Sequence, residues 1–574
     1  MENNIKKITA GICSAIMLTS NASAAENMME TAVGAKFEGE IAETFKSALQ
    51  NNPISSKIFC ADPTAVEYQG RLYVYGTSDH QQYLANGPEK DNTYEKIKSL
   101  VVFSTEDMVN WVYHGEINVG EVAPWIMNAW APSVAARTED DGLTHFYLYF
   151  SNNGTGVGVI TATDPLGPWS DPLGQPLITT GTPGLTDCPN PFDPGVVIDD
   201  NGVGWLSFGG GRAKDGTDFM PGSTRIVRLG DDMLSFGSDF VKIPAPYFFE
   251  ASELNYINGT YVYTYCSDWN SHYPQWDYEA EVPSDCSMVY MTTKTPLDPD
   301  SWEMGGECFK NPGLSGFDYS NNHTHMQKFR GEWYMIYHTL FLRRSMGIKG
   351  GYRSLCVDKI NVDEKTVTIE KTMGSKSGVE EAEAKIPYTV SSGAEICSEA
   401  ATVFDVSDMN APLVISDAAG AWTSVKNVMF TVPDKRDSEK YGLRNDLSFF
   451  AEAKGSGRIE VRLDKPDGEM LTSIDVDSED FTVMYNKSVG EIGGVHDLYF
   501  IFSEKEITVR NWQFCTEKGF NSEFPKENKE YDVSEALNVR GGFLSFAAKY
   551  GIPALCVAAI GMTVGVILFK KRRK

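Results

Sequence analysis

The chain has 574 residues and a formal net charge of −28, from 78 acidic and 50 basic residues. So acidic a surface repels the phosphate backbone, which argues against a nucleic-acid partner. The length leaves room for two domains with separate cores, and ten cysteines spread along it are too sparse for a disulfide scaffold.

The N-terminus has the composition of a secretory signal peptide. Two lysines precede an apolar run at 8–18, and small residues follow at 22–25. A basic start, an apolar centre and a small-residue cleavage site are typical of export signals. We therefore predict a signal peptide at 1–25 and an N-terminal extension at 26–56.

A short hairpin pattern recurs five times along the next part of the chain. In each copy an apolar run leads to a glycine turn, and a second strand rich in aromatic and β-branched residues follows. The glycines with their second strands occupy 70–75, 142–150, 202–208, 259–265 and 331–337. Each unit, of roughly 60 to 70 residues, must stack on its neighbours to bury both faces. The repeat predicts a five-bladed β-propeller at 57–370.

A residue able to do chemistry lies at a nearly constant distance before each hairpin glycine. Asp62 and His323 precede their glycines by 8 positions, Asp193 and Glu250 by 9, and Trp130 by 12. The first strand of every propeller blade lines the central channel, so equivalent positions meet at one end of it. We therefore expect three carboxylates, an imidazole and an indole to converge there.

Converging carboxylates suit the cleavage of a glycosidic bond. One acid must protonate the leaving oxygen while another carboxylate activates water. Neighbouring negative charge keeps one of the acids protonated near neutral pH. The alternative is that the Asp-Pro pairs at 62–63 and 193–194 only start strands. Three acids at one offset in three repeats favour the catalytic interpretation.

Five segments resemble glycoside hydrolase family 43. They are Ala-Asp-Pro at 61–63, Trp-Ala-Pro at 130–132, Phe-Asp-Pro-Gly-Val-Val-Ile-Asp-Asp-Asn-Gly at 192–202, Phe-Phe-Glu-Ala-Ser-Glu at 248–253, and 321–338. The resemblance implies an inverting hydrolase with Asp62 as general base, Asp193 as modulator of the acid's pKa and Glu250 as general acid. Glu253 is the rival for the acid, but it precedes its hairpin glycine by only 6 positions.

The same resemblance implies further residues of the pocket. His323 is similar to a histidine that faces a channel cation, with calcium the expected ion. His325 leaves the assignment between the two histidines open, and a hydrogen-bonded histidine without metal is the alternative. Arg353 is similar to an arginine that points into the pocket, the alternative being a surface ion pair. No cofactor is expected for the chemistry itself.

Aromatic residues make up 12% of the chain, and sugar rings stack on such side chains. Trp130 is the first candidate because it belongs to the predicted ring of channel residues. Phe249 is the second because it precedes Glu250. The alternative for both is packing in the core.

A second domain follows the propeller. Residues 371–384 form a polar linker, and short strands at 385–517 predict a β-sandwich. Three segments resemble family 6 carbohydrate-binding modules, at 422–428, 457–464 and 494–502. Relatives carry a tryptophan pair where this chain has Phe481 and Tyr485. Tyr485 and Asn511 are the candidates for sugar binding, and a purely structural sandwich is the alternative.

The C-terminus predicts a membrane anchor. After a stalk at 518–548, the segment 549–569 reads as a transmembrane helix, because 551–569 contains 19 residues without charge. The basic tail at 570–574 would stay inside. The chain is therefore expected on the extracellular face of the membrane, with a single C-terminal span.

The sequence thus predicts an all-β fold: a five-bladed propeller, a jelly-roll-like β-sandwich and one C-terminal transmembrane helix. The expected function is hydrolysis of arabinoxylan or xylan of plant cell walls, with removal of α-L-arabinofuranosyl side chains as the first choice. An exo-acting β-1,4-xylosidase is the alternative within the family. A non-catalytic surface protein that binds carbohydrate is the alternative of another class. Loops at 80–92 and 183–191 would shape the pocket.

Overall fold

The computed structural model describes residues 29–47, 49–380, 382–431, 433–434 and 437–516. They form two compact units. The propeller unit comprises 45–380 with 407–411, and the second unit comprises the other described residues. The predicted N-terminal extension is divided between the units at residue 44, and its first strand, β1 (Met29–Glu30), belongs to the second unit.

The fold class needs one correction, because the described residues contain no transmembrane helix. Across the described part of the chain, no helix is both long and apolar enough to span a bilayer. The segment 549–569, on which that prediction depended, lies outside the described residues. The signal peptide at 1–25, the stalk at 518–548 and the tail at 570–574 also lie outside them, and these stay predictions.

The propeller unit contains five antiparallel sheets, each built from strands that follow one another in the chain. Blade 1 contains β2 (Ala61–Tyr68), β3 (Arg71–Thr77), β4 (Leu100–Thr105) and β5 (Trp111–Ile117), and blade 2 contains β6 (Trp130–Thr138), β7 (Thr144–Ser151), β8 (Gly156–Ala162) and β9 (Ile178–Thr179). Blade 3 contains β10 (Gly195–Ile198), β11 (Gly204–Phe208) and β12 (Arg225–Arg228), and blade 4 contains β13 (Phe248–Ile257), β14 (Thr260–Ser267), β15 (Met288–Thr293) and β16 (Glu303–Phe309). Blade 5 contains β17 (Thr324–Phe329), β18 (Glu332–Thr339) and β19 (Ser354–Ile360).

Short elements complete this unit. A two-stranded ribbon of β20 (Val362–Asp363) and β21 (Thr368–Ile369) follows the last blade. The helices are α1 (Asp79–Asn86), α2 (Val119–Val122) and α3 (Phe341–Ser345), with 3₁₀ turns at Asn153–Thr155, Tyr273–Gln275, Pro299–Ser301 and Pro312–Ser315.

The five blades close into a ring. Their first strands contact one another in the order β2, β6, β10, β13 and β17, and β17 also contacts β2. Apolar clusters fill the seams between neighbouring blades. In the seam between blades 1 and 2, for example, Leu100 and Val102 are buried with Leu148 and Ile160. Because each blade buries its faces only against its neighbours, the ring is held together by these seams.

Four of the first strands share an unusual backbone conformation near their start. Asp62, Ala131, Asp193 and Ala251 have φ angles of 49°, 31°, 50° and 61°. Non-glycine residues avoid positive φ, and each instance costs on the order of 1–3 kcal/mol. The four strands therefore store strain where they enter the channel.

A side chain from the preceding blade caps the backbone N–H of each of these four residues. The bonds are Ala131 N to Thr77 Oγ1 (2.7 Å), Asp193 N to Ser151 Oγ (2.8 Å), Ala251 N to Asp193 Oδ2 (2.9 Å) and Asp62 N to His338 Nδ1 (3.2 Å). Each cap satisfies a buried donor that the kink removes from the strand ladder. We call this set the cap ring.

The second unit is a β-sandwich-like assembly. Its strands are β22 (Ser391–Ser392), β23 (Glu395–Ile396), β24 (Ser398–Ala400), β25 (Thr402–Asp405), β26 (Leu413–Ser416), β27 (Ala421–Met429), β28 (Pro433–Asp434), β29 (Asp437–Tyr441), β30 (Leu447–Leu463), β31 (Met470–Asn486), β32 (Val495–Phe502) and β33 (Thr508–Thr516). The long strand β30 pairs with β31, β32 and β33, and β1 pairs in parallel with β31. Its core contains Phe449, Phe500 and Trp512.

Candidate active site

The structure brings the three predicted acids to one end of the propeller channel. Asp193 Oδ2 accepts a hydrogen bond from the backbone of Ala251, the residue after Glu250. Asn321 Nδ2 lies 3.5 Å from Glu250 Oε1, and the Asn321 carbonyl accepts a bond from His338 Nε2. The other nitrogen of His338 receives the backbone N–H of Asp62. A continuous set of contacts therefore links the three positions.

Asp62 lies in a positive environment. Arg353 Nη1 donates to Asp62 Oδ1 at 2.8 Å, and the Thr77 hydroxyl donates to Oδ2 at 2.8 Å. His323 Nδ1 lies 3.6 Å from Oδ1. Burial acts to raise the pKa of Asp62, but the Arg353 charge, with His323 and His338, outweighs it and lowers the pKa to about 2. Asp62 is therefore ionised at any physiological pH.

Arg353 is itself held by a second buried carboxylate. Asp79 Oδ2 accepts bonds from the backbone N–H and the Nε–H of Arg353, both at 2.9 Å, and Oδ1 accepts one from Nη2 at 2.9 Å. This two-oxygen geometry fixes the plane of the guanidinium group. The ring of Tyr94 lies 5.1 Å from the same guanidinium carbon. Arg353 is thus a buried positioning group for Asp62 and not a surface ion pair.

Glu250 has the opposite electrostatic environment. Burial of its carboxyl group, together with the negative charge of Asp62, raises its pKa to about 7, against the weaker effects of Asn321 and Arg353. Its side chain is partly exposed toward the channel mouth. A carboxyl group that keeps its proton at pH 5 to 6 and faces solvent is suited to donate that proton.

Asp193 contacts the strand that carries Glu250. Its carboxylate accepts bonds from the Ala251 backbone and from the Ser151 hydroxyl, the latter at 3.3 Å. Burial, and then the negative charges of Glu250 and Asp62, raise the pKa of Asp193, while His323 acts in the opposite direction. This placement fits a carboxyl group that acts on Glu250 through charge and position.

The rival acid Glu253 does not reach the mouth. It is buried, and its Oε1 lies 2.9 Å from Nδ1 of His325, whose other nitrogen lies 3.1 Å from Gln327 Oε1. Burial raises the pKa of Glu253, and the nearby His325 opposes this. The structure thus separates the two histidines: His323 faces Asp62, and His325 faces Glu253.

Among the described residues, no set of side chains is arranged to bind the predicted calcium ion. Within residues 29–516, as far as they are described, no group of three or more His, Cys, Asp and Glu side chains is arranged to hold a metal. The carboxylate oxygen nearest His323 is already bonded by Arg353. Calcium prefers six to eight oxygen ligands, and these side chains do not supply them. Calcium stays a prediction, and we assign it no step in the reaction.

The two aromatic candidates have different neighbours. Trp130 begins β6, and its Nε1 donates to the Tyr94 carbonyl at 3.2 Å. Phe249 is in edge contact with Trp269, with ring centroids 6.4 Å apart, and Trp269 is 5.7 Å from Tyr319. Trp269 and Tyr319 are 43% and 45% exposed, so an aromatic surface runs outward from Glu250.

The two sugar-binding candidates of the second unit have protein partners. The Tyr485 hydroxyl donates to Glu30 Oε2 at 3.0 Å, and its ring stacks on Phe450 at 5.5 Å. Asn511 Nδ2 donates to Glu452 Oε2 at 2.8 Å. The strand register places both candidates on one side of the sheet, opposite Phe450 and Glu452. Sugar binding by Tyr485 and Asn511 stays a prediction.

Sequence reasoning missed residues that act on the three acids. Thr77 and His338 follow their hairpin glycines by 7 positions and Ser151 by 9, so counting forward from the glycine as well as backward would have found them. Asp79, the first residue of α1, also follows its hairpin glycine by 9 positions. Trp269 lies two residues after the end of β14 and carries no such signal, because the loop places it.

The chain is similar to known proteins over most of its length. An arabinoxylan arabinofuranohydrolase of Bacillus subtilis (strain 168) is 34% identical over 478 residues, which cover 79% of this chain and 89% of the relative. One from Paenibacillus polymyxa is 32% identical over 496 residues, covering 82% and 75%. A crystal structure of a glycoside hydrolase family 43 arabinoxylan arabinofuranohydrolase from Bacillus subtilis, in complex with cellotetraose, superposes with a TM-score of 0.72 at 32% identity, covering 82% of this chain and 99% of that one.

Residues 50–367 also match the family described as glycosyl hydrolases family 43. This range contains all five blades and the three acids. The prediction of a glycoside hydrolase is confirmed, and the chain belongs to glycosyl hydrolases family 43.

Proposed function

We propose that the protein removes α-L-arabinofuranosyl side chains from arabinoxylan, with inversion at the anomeric carbon. The observation that carries the chemistry is the opposite electrostatic environment of two linked carboxyl groups. At pH 5 to 6 Asp62 is ionised, whereas Glu250 keeps its proton. The substrate is supported by the arabinoxylan arabinofuranohydrolases of Bacillus subtilis and Paenibacillus polymyxa, which match 79% and 82% of this chain.

In the proposed reaction, a water molecule lies beside Asp62 and attacks the anomeric carbon. Asp62 takes a proton from this water, while Arg353 and Thr77 hold the carboxylate in place. Glu250 gives its proton to the glycosidic oxygen as the bond to the xylan chain breaks. The proton taken by Asp62 and the proton lost by Glu250 balance over one turnover, and exchange with water restores both groups.

The polymer's backbone would lie on the aromatic surface beside Glu250. The general acid protonates the leaving group, so the xylan chain must leave on the side of Glu250. Phe249 precedes the acid, and Trp269 follows β14, whose end pairs with the start of β13. Sugar rings stack on exposed aromatic faces. Trp269 is partly exposed, and its ring contacts that of Phe249, the residue before Glu250.

The substrate is tested by incubating the purified chain with arabinoxylan, nitrophenyl α-L-arabinofuranoside and nitrophenyl β-D-xyloside. We expect release of arabinose from the polymer and the first nitrophenyl substrate. Proton NMR of the first-formed sugar should show the anomer opposite to the substrate's. Preferential release of xylose would favour a β-xylosidase, and retention of configuration would refute the proposed roles of Asp62 and Glu250.

The acid and base are distinguished by leaving group. Glu250→Gln should lower kcat on arabinoxylan by at least ~10²-fold but affect the nitrophenyl substrate less, because nitrophenolate leaves without a proton. Asp62→Asn should lower kcat on both substrates by at least ~10²-fold, since both need activated water. Steady-state kinetics measure each effect.

Glu253→Gln is the matched control for these two variants. Its amide oxygen still accepts a bond from His325, and Glu253 contacts neither Asp62 nor Glu250 in the described structure. We expect its kcat to stay close to that of the unchanged chain. A loss as large as that of Glu250→Gln would return Glu253 to the role of acid.

The pH profile follows from the two pKa values. Asp62 is ionised above pH 2 to 3, so kcat/KM should be level from about pH 4 to 6. It should fall above about pH 7, where Glu250 loses the proton that it must donate. Asn321→Ala removes a donor that lowers the pKa of Glu250, so the alkaline fall should move to higher pH. A shift to lower pH would contradict this assignment.

Trp269→Ala tests the aromatic surface. Loss of one stacking face should raise KM for arabinoxylan about tenfold, which corresponds to ~1.4 kcal/mol. kcat/KM for nitrophenyl α-L-arabinofuranoside should not change, because this substrate has no xylan backbone. Tyr273→Ala, on the same loop and 79% exposed, is the control and should leave both values unchanged. An equal loss on both substrates would place Trp269 in the arabinose pocket instead.

A further inference from the structure

Two buried cysteines lie in contact beside the general acid. Cys266 is the penultimate residue of β14, Cys286 lies two residues before β15, and their sulfur atoms are 3.6 Å apart. Both side chains are fully buried. Neighbouring thiols make different contacts: Cys308 lies 3.4 Å from the Met288 carbonyl, and Cys356 lies 3.5 Å from the Thr339 hydroxyl.

The two cysteines close the segment 267–285, which we call the Trp269 loop. Backbone bonds join its ends, from Cys286 N to the Asp268 carbonyl (2.8 Å) and from Ser267 N to the Ser287 carbonyl (2.9 Å). His272 bridges its two sides, with Nδ1 3.0 Å from the Pro283 carbonyl and Nε2 3.2 Å from Asp268 Oδ1. The sulfur atoms therefore meet in the closed form of the loop and need no rearrangement of its ends.

Cys266 also belongs to the framework of the active site. It pairs with Glu250 in the register of β13 and β14. It follows its hairpin glycine by 7 positions, as Thr77 and His338 follow theirs. Asn311 Nδ2 donates to the Cys286 carbonyl at 3.0 Å, which ties the pair to the segment that leads to Asn321. A disulfide bond between Cys266 and Cys286 would therefore hold in place the backbone that supports both Glu250 and the aromatic surface.

We propose that Cys266 and Cys286 form an intrachain disulfide when the protein meets a disulfide oxidant. The thiolate of one cysteine attacks a small-molecule disulfide and releases one thiol, and the second thiolate then displaces the other. Two protein thiols and one external disulfide give one protein disulfide and two external thiols. The sulfur atoms must approach to about 2.05 Å, a movement that side-chain rotation about Cα–Cβ supplies.

Burial sets the conditions for this reaction. It raises the pKa of the Cys266 thiol well above its ordinary value, so little thiolate exists in the closed loop. Exchange is therefore slow in the folded chain and proceeds when the loop opens or while the chain folds. Once formed, the bond removes freedom from the unfolded chain by closing a loop of about 20 residues, and this stabilises the fold.

The test is a peptide map of the full chain. One sample is incubated folded with oxidised glutathione at pH 8, a second is refolded from urea with it, and remaining thiols are blocked with N-ethylmaleimide. Trypsin leaves both cysteines in one peptide, because no Lys or Arg lies at 243–293. A glutamate-specific protease separates them at Glu279 and Glu281. We expect two peptides joined between Cys266 and Cys286, which dithiothreitol separates.

Thermal unfolding supplies the second measurement. The oxidised chain should have a midpoint higher by about 5 °C than the reduced chain. Cys308→Ser is the matched control and should keep both the cross-link and the shift, whereas Cys286→Ala should lose both. Alkylation of both cysteines in both oxidised samples would overturn the proposal. A cross-link to a different cysteine, or one without a rise in midpoint, would overturn it equally.

Discussion

The active site depends on the cap ring, in which each of four blades is capped by a side chain of the blade before it. A strand that enters the channel with positive φ turns its first side chain inward, but it gives up a ladder bond and stores strain. Thr77, Ser151, Asp193 and His338 satisfy the N–H groups that result. Without these bonds the kinked conformation would have no compensation, and the acids would not face one another.

The caps also connect backbone geometry to charge. Thr77 caps the next blade through its oxygen and donates its proton to Asp62. Asp193 caps the blade of Glu250 with a carboxyl group whose own pKa is raised by burial and by the charge of Glu250. Asp62 remains ionised because Arg353, fixed by Asp79, is buried against it. Opposite protonation states of Asp62 and Glu250 therefore arise from packing.

Much of this architecture can be predicted from the sequence, because the blades repeat. Asp62, Asp193, Glu250 and His323 each precede the hairpin glycine by 8 or 9 positions, because they occupy similar places in their blades. The offset also separates Glu250 from Glu253, which the structure places against His325. Features that differ from blade to blade leave no periodic trace. Trp269 lies just after the second strand of its blade, where position depends on packing of the loop.

The segments outside the repeat also show how far a local sequence pattern can predict structure. Hydropathy alone predicted a transmembrane helix, whereas the described residues contain none long and apolar enough to cross a membrane. Composition left open whether residues 26–56 fold, and the structure shows that β1 within them pairs with β31. A local pattern carries no information about which distant strand a segment such as β1 will join.

The cap ring sets a limit on how this enzyme can change. Although the fold repeats five times, an individual blade is not an exchangeable module, since the side chain that caps the start of its first strand is encoded in its neighbour. Amino-acid substitutions at the capping position of one repeat are thereby tied to substitutions in the adjacent repeat. For recombination between relatives, a crossover inside a blade keeps both sides of each capped seam together.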